Sequence, residues 1–138
     1  MGTERAKDGT LAKPKLLLID DEPALADFLA SAAKMAGYEP IIAVNAADFR
    51  DQYEQHEPAM VALDLGMPTD GVEFLRFLAE QQFAGPVLII SGFDRRILDS
   101  AFRLGGVLGL NMVGPVEKPA RLDDLEALLR WHRPIEAQ

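Results

Sequence analysis

Three acids in a row, Asp20, Asp21 and Glu22, follow the apolar run Leu16 to Ile19 and precede a proline, Pro23. Acids so placed repel one another: at about 4 Å and an effective dielectric of ~20, a carboxylate pair is disfavoured by roughly 4 kcal/mol. Three other polar residues stand at comparable places. Asp64 closes the apolar run from Ala59, Ser91 closes the run from Pro86, and Lys118 follows the weaker run Asn111 to Val116. Clustered carboxylates with no Cys or His nearby make a hard oxygen site suited to Mg²⁺, which takes one or two protein carboxylates and keeps several waters. A divalent ion offsets the repulsion, Lys118 adds positive charge, and such a site favours an anionic ligand of the phosphate kind.

These residues can converge only if the chain folds to bring them together. Leu16 to Ile19 and Val87 to Ile90 lack in/out alternation, as expected of strands covered on both faces. Helical periodicity runs between the strands: Pro23 suits a first helical position, Leu25, Phe28, Leu29, Ala32 and Met35 or Ala36 mark one face, and Gly37 is a C-terminal cap. Strands are predicted at 39–44, 59–64, 86–91 and 111–116. Helices are predicted at 45–56 with Asn45 as N-cap, at 72–82, from Asp94 through at least Leu104, and at 121–131. Gly105 and Gly106 read as a helix stop, and Trp131 as a packing residue. Five β-α alternations imply an open parallel sheet with helices on both faces and right-handed crossovers. In such sheets ligands bind at the carboxyl ends of the strands, which is where Asp20, Asp21, Asp64, Ser91 and Lys118 fall.

Composition excludes several other functions. At 138 residues the chain suits one domain, and it contains no cysteine, so disulfides, thiolate metal sites and cysteine nucleophiles are ruled out. Its 14 basic residues against 22 acidic ones give a net charge of −8, which disfavours nucleic acid and anionic membranes alike. The first ten residues lack the apolar core of a secretory signal, and no apolar run approaches membrane-spanning length, so a cytoplasmic location is the expectation. His56 and His132 lie at predicted helix ends, away from the acids. Arg95, Arg96 and Arg103 read as a solvated helix face.

The stretches LLLIDDEP, VALDLGMPTDGVEFL, VLIISG and VEKP, in this order, resemble the receiver domain of two-component response regulators from about Lys15 to Trp131. The resemblance implies a flavodoxin-like, doubly wound α/β fold, with a five-stranded parallel sheet of order 2-1-3-4-5 and five helices. Residues 15–132 would form the receiver, between tails at 1–14 and 133–138. It implies that Asp64 accepts a phosphoryl group from a sensor histidine kinase or histidine phosphotransfer protein. Asp21 and Asp64 would hold Mg²⁺, with Asp20 acting largely through water and the backbone carbonyl of Gly66 completing the set. Ser91 and Lys118 would bind the phosphoryl group and sense it. Gly66 and Phe93 would flank the path of attacking water and tune phosphoryl lifetime. The domain would be a signalling switch and not an enzyme, acting on a downstream protein, with a phosphorylation-dependent homodimer compatible with it.

The sequence also departs from that pattern. The acid-Gly pair Asp70-Gly71 comes one residue early after Met67-Pro68, and Pro115 stands where most receivers carry Tyr or Phe, three residues before Lys118. The stretch from Ser91 to Lys118 is longer than usual, and LGLNMVGPVEKP resembles receivers linked to EAL-type cyclic-di-GMP phosphodiesterases. Taken singly, each site residue has an ordinary explanation: acids start helices, Ser91 precedes a turn glycine, and Lys118 is a surface lysine before proline. A phosphorylation-independent adaptor on the same fold is therefore the alternative. An aspartyl-nucleophile phosphatase would want a second acid where Gly66 stands, and a flavodoxin-like cofactor binder would want a glycine-rich or hydroxyl-rich loop after the first strand.

Overall fold

The computed structural model describes residues 13–133 apart from 21, 65–67, 93–94 and 119. Within them strands and helices alternate: β1 (Lys15–Ile19), α1 (Pro23–Met35), β2 (Glu39–Ala43), α2 (Ala46–His56), β3 (Met60–Asp64), α3 (Pro68–Glu80), β4 (Pro86–Ser91), α4 (Arg95–Val107), β5 (Asn111–Glu117) and α5 (Leu122–Trp131). All strand pairs are parallel and the order is β2-β1-β3-β4-β5. This is the doubly wound, flavodoxin-like arrangement. Among the described residues, no helix is long and apolar enough to cross a membrane.

Two cores flank the sheet. Leu16, Leu18, Met60, Ala62, Leu88 and Ile90 face α1 and α5, and Leu17, Ile19, Val61, Leu63, Val87 and Ile89 face α2, α3 and α4. Strands β1, β3 and β4 are thus apolar on both faces, which is why they show no alternation. The helix boundaries follow local chemistry. Pro23 begins α1, and Gly37 at φ +96° ends it, its N–H donating to the Lys34 carbonyl and that of Tyr38 to the Ala33 carbonyl. The Asn45 side chain accepts the Asp48 N–H at 2.8 Å to cap α2.

Three local expectations are corrected. Helix α3 begins at Pro68 and not at Val72, because proline is well suited to a first helical position. Gly105 and Gly106 do not stop α4, which continues to Val107. A Cβ on Gly105 would collide with the Met112 sulfur, so this glycine lets the helix approach β5, and Gly109 at φ +90° makes the stop. Trp131 is 83% exposed. It lies two residues past the buried Leu129, about 200° around the helix and so on the opposite face. The expected cap Asp94 lies outside the described residues.

Helix α5 is anchored to the rest by a buried tyrosine. The Tyr38 hydroxyl donates to the Leu129 carbonyl at 2.8 Å, and burial pushes its pKa up to about 12, so it remains a donor. Tyr38→Phe leaves that buried carbonyl short of a partner and is expected to cost about 1–2 kcal/mol in urea unfolding. An unchanged midpoint would show that α5 does not depend on this bond.

Candidate functional site

The period-two geometry of the strands decides which side chains meet. Leu16 and Leu18 face the α1/α5 core, and Asp20 continues that series one step past the end of β1. Met60 and Ala62 do the same for Asp64 at the end of β3. The two carboxylates therefore emerge on one face at the carboxyl ends of neighbouring strands. Asp20 is only 6% exposed, and its Oδ1 accepts the Glu22 N–H at 2.9 Å. The Asp64 side chain is 3% exposed.

Lys118 closes the site. Its Nζ is ion-paired with Asp64 Oδ2 and lies 3.9 Å from Asp20 Oδ2. The backbone fixes the reach of this lysine: the Lys118 N–H donates to the Ser91 carbonyl at 2.9 Å, which ties the end of β5 to the end of β4. Ser91 is fully buried there, and the Lys118 stem runs past its neighbour Gly92. Of the expected site residues, Asp20, Asp64 and Lys118 are brought into one cluster, with Ser91 beside them at the adjoining strand end. Asp21, Gly66 and Phe93 lie outside the described residues. His56 and His132 stand apart from the cluster at helix ends, His56 Nδ1 being 3.4 Å from Lys15 Nζ.

Burial dominates the electrostatics. It raises the Asp64 pKa from 3.8 to about 7, helped by the neighbouring Asp20 side chain, and the ammonium of Lys118 only partly opposes it. Asp20 Oδ2 and Asp64 Oδ2 are shut off from solvent with no well-oriented hydrogen bond to either. Two buried carboxylates that share a single ammonium are incompletely compensated, which is costly. They are also hard donors, and a small divalent cation fits their chemistry. Among the described residues no group of three or more His, Cys, Asp or Glu is gathered. The described part of such a site is therefore the pair Asp20 and Asp64.

A feature the sequence did not disclose lies alongside. A cavity of about 530 Å³ opens between α1 and α5, walled by Leu25, Phe28, Ile90 and Leu125, with Asp20, Asp64 and Lys118 at its polar end. Leu25 and Phe28 carry the helical period of core residues, so their spacing could only announce burial, not a void beside them.

Comparison with known proteins identifies relatives of the same family and fold. A model of the response regulator receiver domain matches residues 16–130. The transcriptional regulatory protein TrcR of Mycobacterium tuberculosis is 29% identical over 84% of the chain, which covers 44% of that protein. The chain thus spans less than half the length of this curated relative. The crystal structure of a response regulator signal receiver domain from Bermanella marisrubri aligns with a TM-score of 0.71 and 28% identity, over 88% of this chain and 98% of that one. Vibrio cholerae chemotaxis protein CheY4, at 21% identity and a TM-score of 0.72 over 88% and 99% of the two chains, shares the fold.

The raised Asp64 pKa predicts a signature in stability. Between about 4 and 7 the native state holds a proton that the unfolded chain has released, so this contribution is complete at acid pH and is lost as pH rises through 7. Without divalent cations, Asp64→Asn should exceed the wild type in thermal stability by a margin that grows from pH 5 to pH 8. Raising a pKa by one is worth about 1.4 kcal/mol, so the margin at pH 8 should be on the order of a few kcal/mol. A margin independent of pH would mean that Asp64 titrates normally.

Proposed function

The chain belongs to the response regulator receiver domain family, and on that premise we propose that it accepts a phosphoryl group on Asp64 and uses the change to switch binding to a protein partner. The observation that carries this reading is the meeting of two buried carboxylates and one ammonium at the carboxyl ends of β1, β3 and β5. A carboxylate is a competent nucleophile, and phosphoryl transfer depends mainly on positioning and charge neutralisation.

The donor is a histidine kinase or histidine phosphotransfer protein. An Asp64 oxygen attacks the phosphorus, the P–O bond forms as the P–N bond to the donor imidazole breaks, and the imidazole leaves with a proton. Lys118 offsets the charge of the incoming phosphoryl oxygens, and the Ser91 hydroxyl donates to one of them. Asp20, Asp21, Asp64 and the Gly66 carbonyl would hold Mg²⁺, whose charge would favour the ionised form of Asp64 and offset that of the transferred group. By the family resemblance, Gly66 and Phe93 would tune how long the phosphoryl group survives.

Phosphorylation replaces about one negative charge by two and adds acceptor oxygens, which on this reading Lys118 and Ser91 sense. The output is a downstream protein, in keeping with the acidic surface of a cytoplasmic signalling domain and the likeness of LGLNMVGPVEKP to EAL-linked receivers. TrcR is named for transcriptional regulation. Any contact with DNA on that model would fall to sequence beyond the matched region, since the net charge of −8 disfavours it here. Pro115, in place of the usual aromatic, keeps a second reading open, that of an adaptor that works without phosphorylation.

A small phosphodonor with Mg²⁺, read by intact mass, separates the two. The expected result is a gain of one phosphoryl group by the wild type, none by Asp64→Asn, and a rate lowered by on the order of tenfold or more in Lys118→Ala, the scale of one charge-assisted contact. No gain, or equal gain in Asp64→Asn, would favour the adaptor.

A further inference from the structure

Strand β5 contains one residue more than its pairing with β4 requires. Leu88 pairs with Val113, but Ile90 pairs with Val116, so two steps along β4 match three along β5. The extra residue is accommodated by a β-bulge at Gly114 and Pro115. Gly114 has φ +95°, and a Cβ there would lie 3.0 Å from the Val116 nitrogen and 3.3 Å from Leu88 Cδ1, so glycine is what this turn of the backbone admits. Pro115 has no N–H, and its place on an edge strand within a bulge removes no ladder donor that a neighbour needs.

The bulge changes which face the end of the strand presents. Met112 packs into the core beneath α2, α3 and α4, whereas Val113 and Val116 both pack on the α1/α5 side. Residues three apart in a regular strand face opposite ways. Lys118, two beyond Val116, inherits the α1/α5 side, the side shared by Asp20 and Asp64. In an unbulged strand of the same length, Lys118 would follow the alternation of Met112 to the other face and leave the two carboxylates without their cation.

We propose that Gly114 and Pro115 form a positioning element, a register correction that turns Lys118 onto the face of Asp20 and Asp64. Its importance for phosphoryl transfer rests on the function proposed above, but the orientation of Lys118 does not. Pro115 is then the residue that sets the lysine and not a failed substitute for an aromatic switch. The extra length between Ser91 and Lys118 is accounted for in part by this one inserted position.

Two variants are expected to behave oppositely. Gly114→Val/Pro115→Val keeps the length but favours a regular strand, while deletion of Pro115 removes the surplus residue and lets a regular strand present Lys118 on its original side. Carbodiimide condensation joins the lysine nitrogen to a touching carboxyl carbon as an amide, the displaced oxygen leaving in the urea, and peptide mass mapping locates the link. Wild type and the deletion should give a link from Lys118 to Asp64 or Asp20, and the double valine variant should lose it. With the small phosphodonor and Mg²⁺, the double valine variant should be slowed by on the order of tenfold or more, and should add no further slowing in a Lys118→Ala background, a coupling that a general loss of stability would not produce. Loss of the link in the deletion, its survival in the double valine variant, or independent effects on rate would overturn the proposal. If the double valine variant does not fold, the deletion decides. A wild type that cross-links but never takes up phosphate would defeat the functional reading and leave the positioning intact.

Discussion

The site depends on an unfavourable act of burial. Two carboxylates are held at the end of a parallel sheet where solvent barely reaches, and burial, helped by the neighbouring Asp20, drives Asp64 toward neutrality, to a pKa of about 7. Nothing in the apolar framework around them relieves that cost. Lys118 relieves part of it, one positive charge set against two shielded carboxylates. A site that is strained without a cation is electrostatically sensitive, because small changes in charge there alter the energy of the sheet end.

The fold supplies this arrangement through parity. Leu16, Leu18 and Asp20 form one alternating series, as do Met60, Ala62 and Asp64, so the packing of each strand against α1 and α5 also aims its terminal acid. Strand β5 would break the pattern without its bulge. Ser91 belongs to the opposite series, after Val87 and Ile89, and contributes from the strand end beside the pair. The cavity between α1 and α5 opens on the same face, so whatever reaches Asp64 from that side meets apolar walls first.

Much of this was legible in the sequence. The uninterrupted apolar runs of β1 and β4 announced central strands, Pro23, Gly37 and Asn45 marked helix ends, and the polar residues following the strands pointed to one edge of the sheet. Other features left no local trace. Trp131 reads as a core residue until its angle from Leu129 is considered, and Gly105 reads as a stop until Met112 is found against it. The bulge was hidden because Val113 and Val116 are apolar at a spacing that fits neither a regular strand nor any motif, and only the register with β4 explains it. The cavity is a void, and a sequence specifies its walls without specifying the space.

The central claim is that the buried carboxylate pair is a cation-compensated site, and the thermal unfolding midpoint measured across a Mg²⁺ titration tests it most directly. Linkage gives about 2.7 kcal/mol of stabilisation when the ion exceeds its dissociation constant a hundredfold. The wild-type midpoint should therefore climb with Mg²⁺ by several degrees, and the climb should shrink in Asp20→Asn and Asp64→Asn. A midpoint indifferent to Mg²⁺, or one that climbs equally in all three proteins, would contradict the account.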